Sequence, residues 1–308
     1  MAVYGWIGLG HMGLPMTANL VKAGHTVRGY DLDPKSLEKA AANGVEPMES
    51  IAQAVQGADA VFTMLPKGEH VRSVFEEPGG IFDSASTDTL LLDSSTVDLE
   101  TSKWCHDQAA ARGFTFIDAP VSGGVSGAAA GTLAFMIGGA DDEDVSRTRA
   151  LVEPMAGKIF AAGGPTSGIA AKLANNMMLN ISLLAAAEGS QLAKELGLDP
   201  KVFWEITSAS SGQSWAQQTW YPVPEIVESA AANINFDATF SAELAHKDVN
   251  LAVQAGEAAG LNLKAAQLAQ SQLRQLMDEG LGGKDCSLIT KYVRNDDTLD
   301  GYTRDGAQ

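Results

Sequence analysis

Three polar side chains interrupt a long apolar stretch in the middle of the chain. Lys172, Asn176 and Asn180 are spaced by four residues, so in a helix they share one face, with Asn175 beside them. A lysine in apolar surroundings must reach water or have a partner that justifies its burial. Lysine is also the side chain whose pKa falls most readily on desolvation, which suits a general base. Taken alone, the spacing is more typical of a surface stripe on a buried helix.

The elements that must position these residues are mostly helical. The apolar stretch predicts one helix from Ser167, as its N-cap, to Lys194, with Gly197 as its stop. The strand signals fade after Gly168, so the second half predicts an all-helical domain entered along this long helix. Further helices are predicted at Asp199 to Ser208, Ala242 to Ala259 and Lys264 to Glu279.

A glycine-rich segment near the start has the spacing of a dinucleotide-binding loop. Gly8-Leu9-Gly10-His11-Met12-Gly13 follows a predicted strand, Val3 to Leu9, and opens a predicted helix. The next predicted strand, His25 to Tyr30, ends in Asp31, where a carboxylate would bind a ribose. Gly8 permits a tight turn, Gly10 admits a pyrophosphate, and Gly13 allows close helix packing, while the helix N-terminus offers its N–H groups to the phosphates.

Strands and helices alternate through the rest of the first half, which predicts a parallel sheet. The further strands are predicted at Asp59 to Leu65, Thr89 to Leu92, Phe114 to Asp118 and Thr132 to Ile137, with helices at Pro34 to Asn43 and Leu99 to Arg112. Ligands bind beyond the carboxyl ends of such strands, where Leu65, Pro66, Ser95, Thr96 and Ser122 fall. Proline, serine and threonine are also ordinary loop and capping residues.

The predicted architecture is α/β: a Rossmann-type N-terminal domain with a parallel sheet, followed by an all-α domain. The boundaries are 1–163 for the dinucleotide domain, 164–293 for the helical substrate and dimerisation domain, and 294–308 for a flexible, polar tail.

The segment Asp118-Ala-Pro-Val-Ser-Gly-Gly124 could hold an anion. A predicted strand ends there, and the Ser-Gly-Gly turn exposes backbone N–H groups and one hydroxyl. A flexible connection is the alternative interpretation.

Composition narrows the possible partners. The 308 residues carry a formal charge of −17, which argues against nucleic acid and anionic membranes. The two cysteines, Cys105 and Cys286, and the scattered histidines predict no metal site. No targeting segment is evident, and the polar residues of the long helix argue against a membrane span, so we expect a cytoplasmic protein.

Four ordered motifs together resemble the β-hydroxyacid dehydrogenase family, over about residues 3 to 293. They are the glycine loop, the Asp118 segment, Gly168-x-x-x-Lys172-x-x-Asn-Asn176, and Lys247-Asp248. Ser211 to Trp215, Tyr221 to Pro224 and Lys284-Asp285 are most similar to the members that oxidise 3-hydroxyisobutyrate.

The resemblance implies NAD(P)-dependent interconversion of a small 3-hydroxy acid and its semialdehyde, as in valine catabolism. Lys172 would be the general acid/base and Asn176 would orient it or the substrate. The implied substrate-binding residues are Ser122, Gly123, Gly124 and Lys247, with Trp215 and Phe240 as an apolar wall. The implied cofactor-binding residues are Gly8, Leu9, Gly10, His11, Met12, Gly13, Asp31, Leu65, Pro66, Thr96, Lys247 and Asp248. His70 occupies a position where the family often has asparagine.

The residues suit this chemistry. Hydride transfer belongs to the nicotinamide, and Lys172 can take the hydroxyl proton if its pKa falls from about 10.4 towards neutrality. Burial and a second cation, Lys247, act in that direction. Asp31, followed by Leu32 and Asp33 without positive charge, favours NAD over NADP.

Other functions remain open from the sequence. A reductase of another small semialdehyde, such as tartronate or succinic semialdehyde, or of an imine would have the same fold. So would a catalytically inactive dinucleotide-binding regulator. The long apolar helix and the resemblance both predict a homodimer or homotetramer.

Overall fold

The computed structural model describes residues 1–139 and 141–303. The chain divides into two compact units, Met1–Lys172 and Leu173–Gln308, and the boundary falls inside one long helix. We call them the first and the second unit. Each has its own apolar core.

The first unit contains a nine-stranded sheet. The strands are β1 (Val3–Ile7), β2 (Thr26–Tyr30), β3 (Glu46–Pro47), β4 (Ala60–Thr63), β5 (Leu90–Asp93), β6 (Phe116–Asp118), β7 (Val121–Ser122), β8 (Leu133–Gly138) and β9 (Ala156–Gly163). Their order is β3-β2-β1-β4-β5-β6-β8-β7, and β9 pairs with β8. Strands β4 and β5 are buried at every position, as expected where helices cover both faces of a parallel sheet.

The sheet is not parallel throughout, contrary to the sequence-based expectation. Strands β1 to β6 pair in parallel, but β8 runs antiparallel to β6 and β7. Strands β6 and β7 are separated by only two residues, 119–120, and they pair with β8 in one continuous antiparallel register, from Asp118 with Gly138 to Ser122 with Ala134. The chain therefore turns back between Ser122, at the end of β7, and Leu133, at the start of β8.

Helices pack on the sheet between these strands. They are α1 (Gly13–Lys22), α2 (Pro34–Ala42), α3 (Ile51–Val55), α4 (Gly68–Glu76), α5 (Ile81–Ser84), α6 (Leu99–Ala111), α7 (Gly124–Ala130) and α8 (Asp142–Val152), with a 3₁₀ turn at Glu153–Met155. Asp33 and Asp98 cap α2 and α6 by accepting from Lys35 N and Thr101 N. Apolar residues of β1, β4 and β5 form the core beneath them.

Two strands end earlier than predicted, for local reasons. Strand β1 stops at Ile7 rather than Leu9 because Gly8 takes a left-handed φ of +100°. Strand β4 stops at Thr63, and the Leu65 N–H donates to Ser95 Oγ instead of to a neighbouring strand.

The second unit is helical, and residues 173–303 contain isolated β-bridges but no strand. Its helices are α9 (Ser167–Glu195), which starts in the first unit, α10 (Pro200–Ser208), α11 (Trp215–Thr219), α12 (Ala242–Ala258) and α13 (Lys264–Asp278), with 3₁₀ turns at Ala231–Ile234 and Cys286–Val293. The apolar core lies among α9, α12 and α13.

Part of the predicted C-terminal tail packs on this core. Leu299 is buried among the helices, and the Thr303 N–H donates to Asn235 Oδ1. The rest of the predicted tail, 304–308, lies outside the described residues.

Helix α9 is long and apolar enough to cross a membrane by length and composition alone. A core helix of a soluble protein passes the same test, and α9 supplies core residues Leu183 and Leu184 to the second unit.

Candidate active site

The glycine loop between β1 and α1 has the shape of a nucleotide cradle. A Cβ at Gly8 would lie 2.3 Å from Met64 O, and one at Gly13 would lie 2.0 Å from Gly8 O, so neither position accepts a side chain. A Cβ at Gly10 would have no heavy atom of the described residues within 4 Å. Gly10 is therefore open to solvent, which would allow a pyrophosphate to approach its backbone closely. The loop fits a dinucleotide.

Trp6 supports the loop through a hydrogen bond to its backbone. Its indole Nε1 donates to Gly8 O at 2.9 Å, and its ring stacks on Phe62 with centroids 4.9 Å apart. The residue is fully buried. Helix α1 follows at Gly13 with Met12 as its N-cap and no side-chain cap bond, which leaves the helix N-terminus available for phosphate.

Asp31 ties the end of β2 to this loop. Its Oδ2 accepts from Leu9 N at 2.6 Å and its Oδ1 accepts from Asp33 N at 2.8 Å. The carboxylate is thus held where the ribose hydroxyls of a dinucleotide are bound in this fold. Neighbouring Arg28 donates to Gln56 O and pairs with Glu46, so its guanidinium is already engaged.

A buried carboxyl that sequence reasoning missed organises the ends of β4 and β5. Asp93 Oδ1 accepts from Thr63 Oγ1 at 2.7 Å and from Ser95 N at 3.0 Å. Ser95 Oγ in turn accepts from Leu65 N at 2.8 Å. This network positions the two loops that carry the predicted cofactor contacts Leu65, Pro66 and Thr96. Desolvation raises the pKa of Asp93 to about 6, against the opposing effect of its hydrogen bonds.

The Ser-Gly-Gly turn after β6 requires its glycines. Gly123 and Gly124 have φ values of +135° and +65°, a region that side chains disfavour. Ser122 is held just before them, because it pairs with Ala134 of β8. No heavy atom of the described residues lies within 4 Å of a Cβ built at Gly124, so the turn is open on that side.

The start of α9 is capped differently from the prediction. The hydroxyl of Ser167 donates to Gly164 O rather than capping the helix. Asp118 takes that role from across the fold: its Oδ1 accepts from Thr166 N at 3.0 Å and its Oδ2 from Ile169 N at 2.7 Å. No local sequence pattern predicts this contact, because Asp118 and Ile169 are 51 positions apart in the chain.

The polar stripe on α9 is buried, so the surface-stripe interpretation is wrong. Lys172 is 9% exposed, and Asn176 and Asn180 are 3% and 1% exposed. Asn180 Nδ2 donates to Asn176 O at 2.8 Å. Burying a lysine and two asparagines away from water costs free energy unless they have partners, so we expect these side chains to have a structural or chemical role.

Asn176 belongs to a polar row between α9 and α12. Its Nδ2 donates to Asp248 Oδ2 at 2.6 Å, and its Oδ1 accepts from Asn175 Nδ2 at 3.1 Å. The Lys247 ammonium lies 3.1 Å from Asp248 Oδ1. We call Asn175, Asn176, Asp248 and Lys247 the amide–lysine row. It joins two motifs that are 71 residues apart in sequence (Lys247 and Asn176), and it offers a fixed amide and a cation.

The two predicted wall aromatics belong to one aromatic cluster in the second unit. Trp215 packs edge-on against Trp220, and Trp220 stacks on Phe240. Phe240 is positioned by buried Asp285, whose Oδ2 accepts from Phe240 N at 3.0 Å and from Thr239 N at 2.9 Å. Trp215 remains 49% exposed.

Each unit therefore gathers part of the predicted set. The first unit brings together the glycine loop with Asp31, and Leu65 with the Asp93 network. The second unit joins Asn176, Lys247 and Asp248, and joins Trp215 with Phe240 through Trp220. All the predicted cofactor contacts, and all the predicted substrate contacts, stay predictions. His70 is exposed on α4, with Nε2 3.9 Å from Glu69 Oε1.

Among residues 1–139 and 141–303, no group of three or more histidine, cysteine, aspartate or glutamate side chains could hold a metal ion.

Family models match nearly the whole chain. Residues 3–164 match the NAD binding domain of 6-phosphogluconate dehydrogenase, and residues 166–293 match a model described as NAD-binding of NADP-dependent 3-hydroxyisobutyrate dehydrogenase. The chain is 45% identical to a probable 3-hydroxyisobutyrate dehydrogenase of Mycobacterium tuberculosis over 260 residues, which cover 84% of this chain and 87% of the relative. It is 39% identical to an NAD-dependent L-serine dehydrogenase of Pseudomonas aeruginosa, over 93% of this chain and 96% of the relative.

Solved structures agree. The Mycobacterium tuberculosis 3-hydroxyisobutyrate dehydrogenase with L-serine superposes with a TM-score of 0.88 and 40% identity, covering 96% of this chain and 99% of that one. An imine reductase of Streptomyces aurantiacus, at 16% identity and a TM-score of 0.61, shares the fold alone.

Fold, glycine loop and these matches define the class of protein: an NAD-dependent oxidoreductase that acts on hydroxy acids. The chain belongs to the β-hydroxyacid dehydrogenase family, in which it is similar to the 3-hydroxyisobutyrate dehydrogenases.

Proposed function

We propose that the protein oxidises 3-hydroxyisobutyrate to methylmalonate semialdehyde with NAD, as a step of valine catabolism. The observation that carries the proposal is the burial of Lys172 on the α9 face that also presents Asn176. A buried amine one turn from a fixed amide is suited to taking a proton from a hydroxyl, since both groups can address one oxygen.

In the proposed mechanism the substrate carboxylate is bound by Ser122 and the N–H groups of Gly123 and Gly124, with Lys247 supplying positive charge. A chain of charge −17 needs such a local cation to hold an acid. NAD, when bound, would supply the acceptor for the hydride that leaves the carbinol carbon. Neutral Lys172 accepts the hydroxyl proton, so the C–O bond becomes a carbonyl while Lys172 becomes an ammonium.

Asn176 has a supporting role in this scheme. Its Nδ2 has two hydrogens, and Asp248 accepts one of them. The other can donate to the substrate oxygen while the amide plane is held by Asp248 and Asn175. We propose that this donor orients the hydroxyl towards Lys172.

L-serine is the second candidate substrate. A relative at 39% identity is an NAD-dependent L-serine dehydrogenase, and a similar solved structure was determined with L-serine. L-serine and 3-hydroxyisobutyrate share a carboxylate and a 3-hydroxyl, and they differ in an ammonium or a methyl group at carbon 2. The apolar cluster of Trp215, Trp220 and Phe240 favours the methyl group.

One steady-state experiment tests the proposal. The purified protein is assayed with 3-hydroxyisobutyrate, L-serine and other small 3-hydroxy acids, with NAD and NADP in parallel. We expect the highest kcat/KM with 3-hydroxyisobutyrate and NAD. A higher value with L-serine would replace the proposed substrate and keep the chemistry, whereas no turnover of any hydroxy acid would contradict both.

We also propose that the protein works in the cytoplasm as a homodimer or homotetramer. Helix α10 has no buried residue among its described positions, although it carries Val202 and Ile206 one turn apart. Leu192 and Leu196 near the end of α9 are exposed by 61% and 72%. A second copy of the chain would cover this apolar surface. Light scattering that reports 32.2 kDa, the mass of one chain, at micromolar concentration would contradict this proposal.

A further inference from the structure

Asp118 links two parts of the first unit that the proposed function uses. It ends β6 and opens the segment that leads to Ser122, and its carboxylate caps the start of α9. Lys172 follows Ile169 by three residues, about 4.5 Å along the helix axis. Asp118 is 2% exposed, so its hydrogen bonds are shielded from water.

The surroundings of this carboxylate are built to let the helix come close. A Cβ at Gly168 would lie 2.3 Å from Met136 O and 2.6 Å from Asp118 O. A Cβ at Gly138 would lie 2.4 Å from Asp118 Oδ1. Both positions therefore need glycine for the first turn of α9 to reach the carboxylate. Gly168 is the first residue of the Gly-x-x-x-Lys motif. The close approach of the backbone explains why the motif has glycine at this position.

A third partner orients the carboxylate. His106 Nε2 lies 2.7 Å from Asp118 Oδ1, and the imidazole packs edge-on against Phe116. With a proton on Nε2 the imidazole donates to the ionised carboxylate. Oδ1 is thereby held towards Thr166 N while Oδ2 points at Ile169 N.

We propose that Asp118 is a positioning residue for the reaction: it fixes the first turn of α9, and with it Lys172, relative to the Ser122 turn. An ordinary helix cap adds stability wherever it lies. This cap instead joins the strand end that leads to the carboxylate-binding turn to the helix that carries the base. Misplacement of a reacting group by about 1 Å can cost ~10²-fold in rate. The inference rests on the proposed role of Lys172.

The test is Asp118→Asn, which keeps the size of the side chain. Its one oxygen can accept from a single backbone N–H, and its NH₂ group faces the other N–H without accepting from it. We expect kcat to fall about tenfold or more, with KM for the hydroxy acid within threefold because Ser122 is still held by the β7–β8 pairing. The Kd for NADH should stay within threefold, since the glycine loop is untouched.

Two further variants separate positioning from stability. Asp141→Asn alters the N-cap of α8, where the carboxylate accepts from Asp144 N at 2.9 Å, and should leave kcat unchanged. His106→Leu removes the orienting contact but leaves both backbone bonds to Asp118, so kcat should fall in the same direction by a smaller factor. This variant also carries the test if Asp118→Asn does not fold.

The outcomes distinguish the two proposals when Lys172→Ala is assayed in parallel. If Lys172→Ala loses turnover while Asp118→Asn and His106→Leu keep kcat within twofold, Asp118 is only a structural cap and the inference is overturned. If Lys172→Ala itself keeps kcat, the proposed function of the lysine fails, and any effect at Asp118 has another cause.

Discussion

The glycine loop and the amide–lysine row present their functional groups in opposite ways. The loop offers backbone N–H groups. A side chain would disrupt it where an added Cβ would collide with the backbone, as at Gly8 and Gly13. The row offers side-chain groups: Asn176 Nδ2 donates to the Asp248 carboxylate, and the Lys247 ammonium lies beside the same carboxylate. A backbone site is lost through steric change, whereas a side-chain site is lost through single truncations that leave the fold intact.

The largest expected effect is at Lys172, where chemistry should separate from cofactor binding. Lys172→Ala leaves the glycine loop unchanged, so NADH should bind with near-normal affinity in a fluorescence titration. Turnover should fall by ~10²–10⁴-fold, the usual contribution of a general base. Lys172→Arg should be no better, because a guanidinium stays protonated at any working pH. A variant with more than about a tenth of wild-type kcat would show that the lysine is structural.

A smaller effect is expected at Lys247, which would sharpen the contrast with the loop. Lys247→Met should raise KM for the hydroxy acid and lower kcat, by about tenfold or more together, because a charge-assisted bond contributes about 1.5–3 kcal/mol. The matched control is Lys264→Met at the exposed first position of α13, which changes the net charge equally. Equal losses in both variants would mean that overall charge, and not this site, attracts the acid.

The cofactor preference tests the loop side of the comparison. Wild-type kcat/KM should be higher with NAD than with NADP, and Asp31→Asn should shrink that preference by roughly tenfold, because a carboxylate binds a free 2′-hydroxyl and repels a 2′-phosphate. Asp33→Asn, which keeps a capping side chain on α2, should leave the ratio unchanged. A wild-type enzyme that prefers NADP would refute the assigned role of Asp31.

The smallest effect concerns stability and the buried Asp93. Its folded-state pKa is raised from 3.8 to about 6, so the folded state holds its proton more tightly than the unfolded state. The free energy of unfolding should therefore fall as pH rises through the window from 3.8 to about 6. Asp93→Asn removes this dependence, so its stability relative to wild type should rise by about 1 kcal/mol between pH 5 and 7 in urea unfolding. A pH-independent difference would contradict the raised pKa.

The features that could be predicted from the sequence are those with a local signal, and the features that were missed depend on contacts between distant residues. The glycine spacing identified the loop, and apolar periodicity located α9 at its observed start, because both signals are local. The burial of Lys172, the cap from Asp118 and the network of Asp93 depend on residues far apart in sequence, so no local pattern carries them. The reversal of β8 was missed because alternation of strands and helices predicts which elements follow one another but not the direction in which each strand runs.

The Trp6 indole gives the nucleotide loop an optical reporter of its own. Its nitrogen is bonded to the carbonyl of Gly8, so a ligand that shifts the loop changes the polarity felt by the excited ring. The chain has five tryptophans. A variant in which Trp6 is the single tryptophan would report ligand binding at the loop by a shift in its fluorescence emission wavelength, without a dye and without turnover.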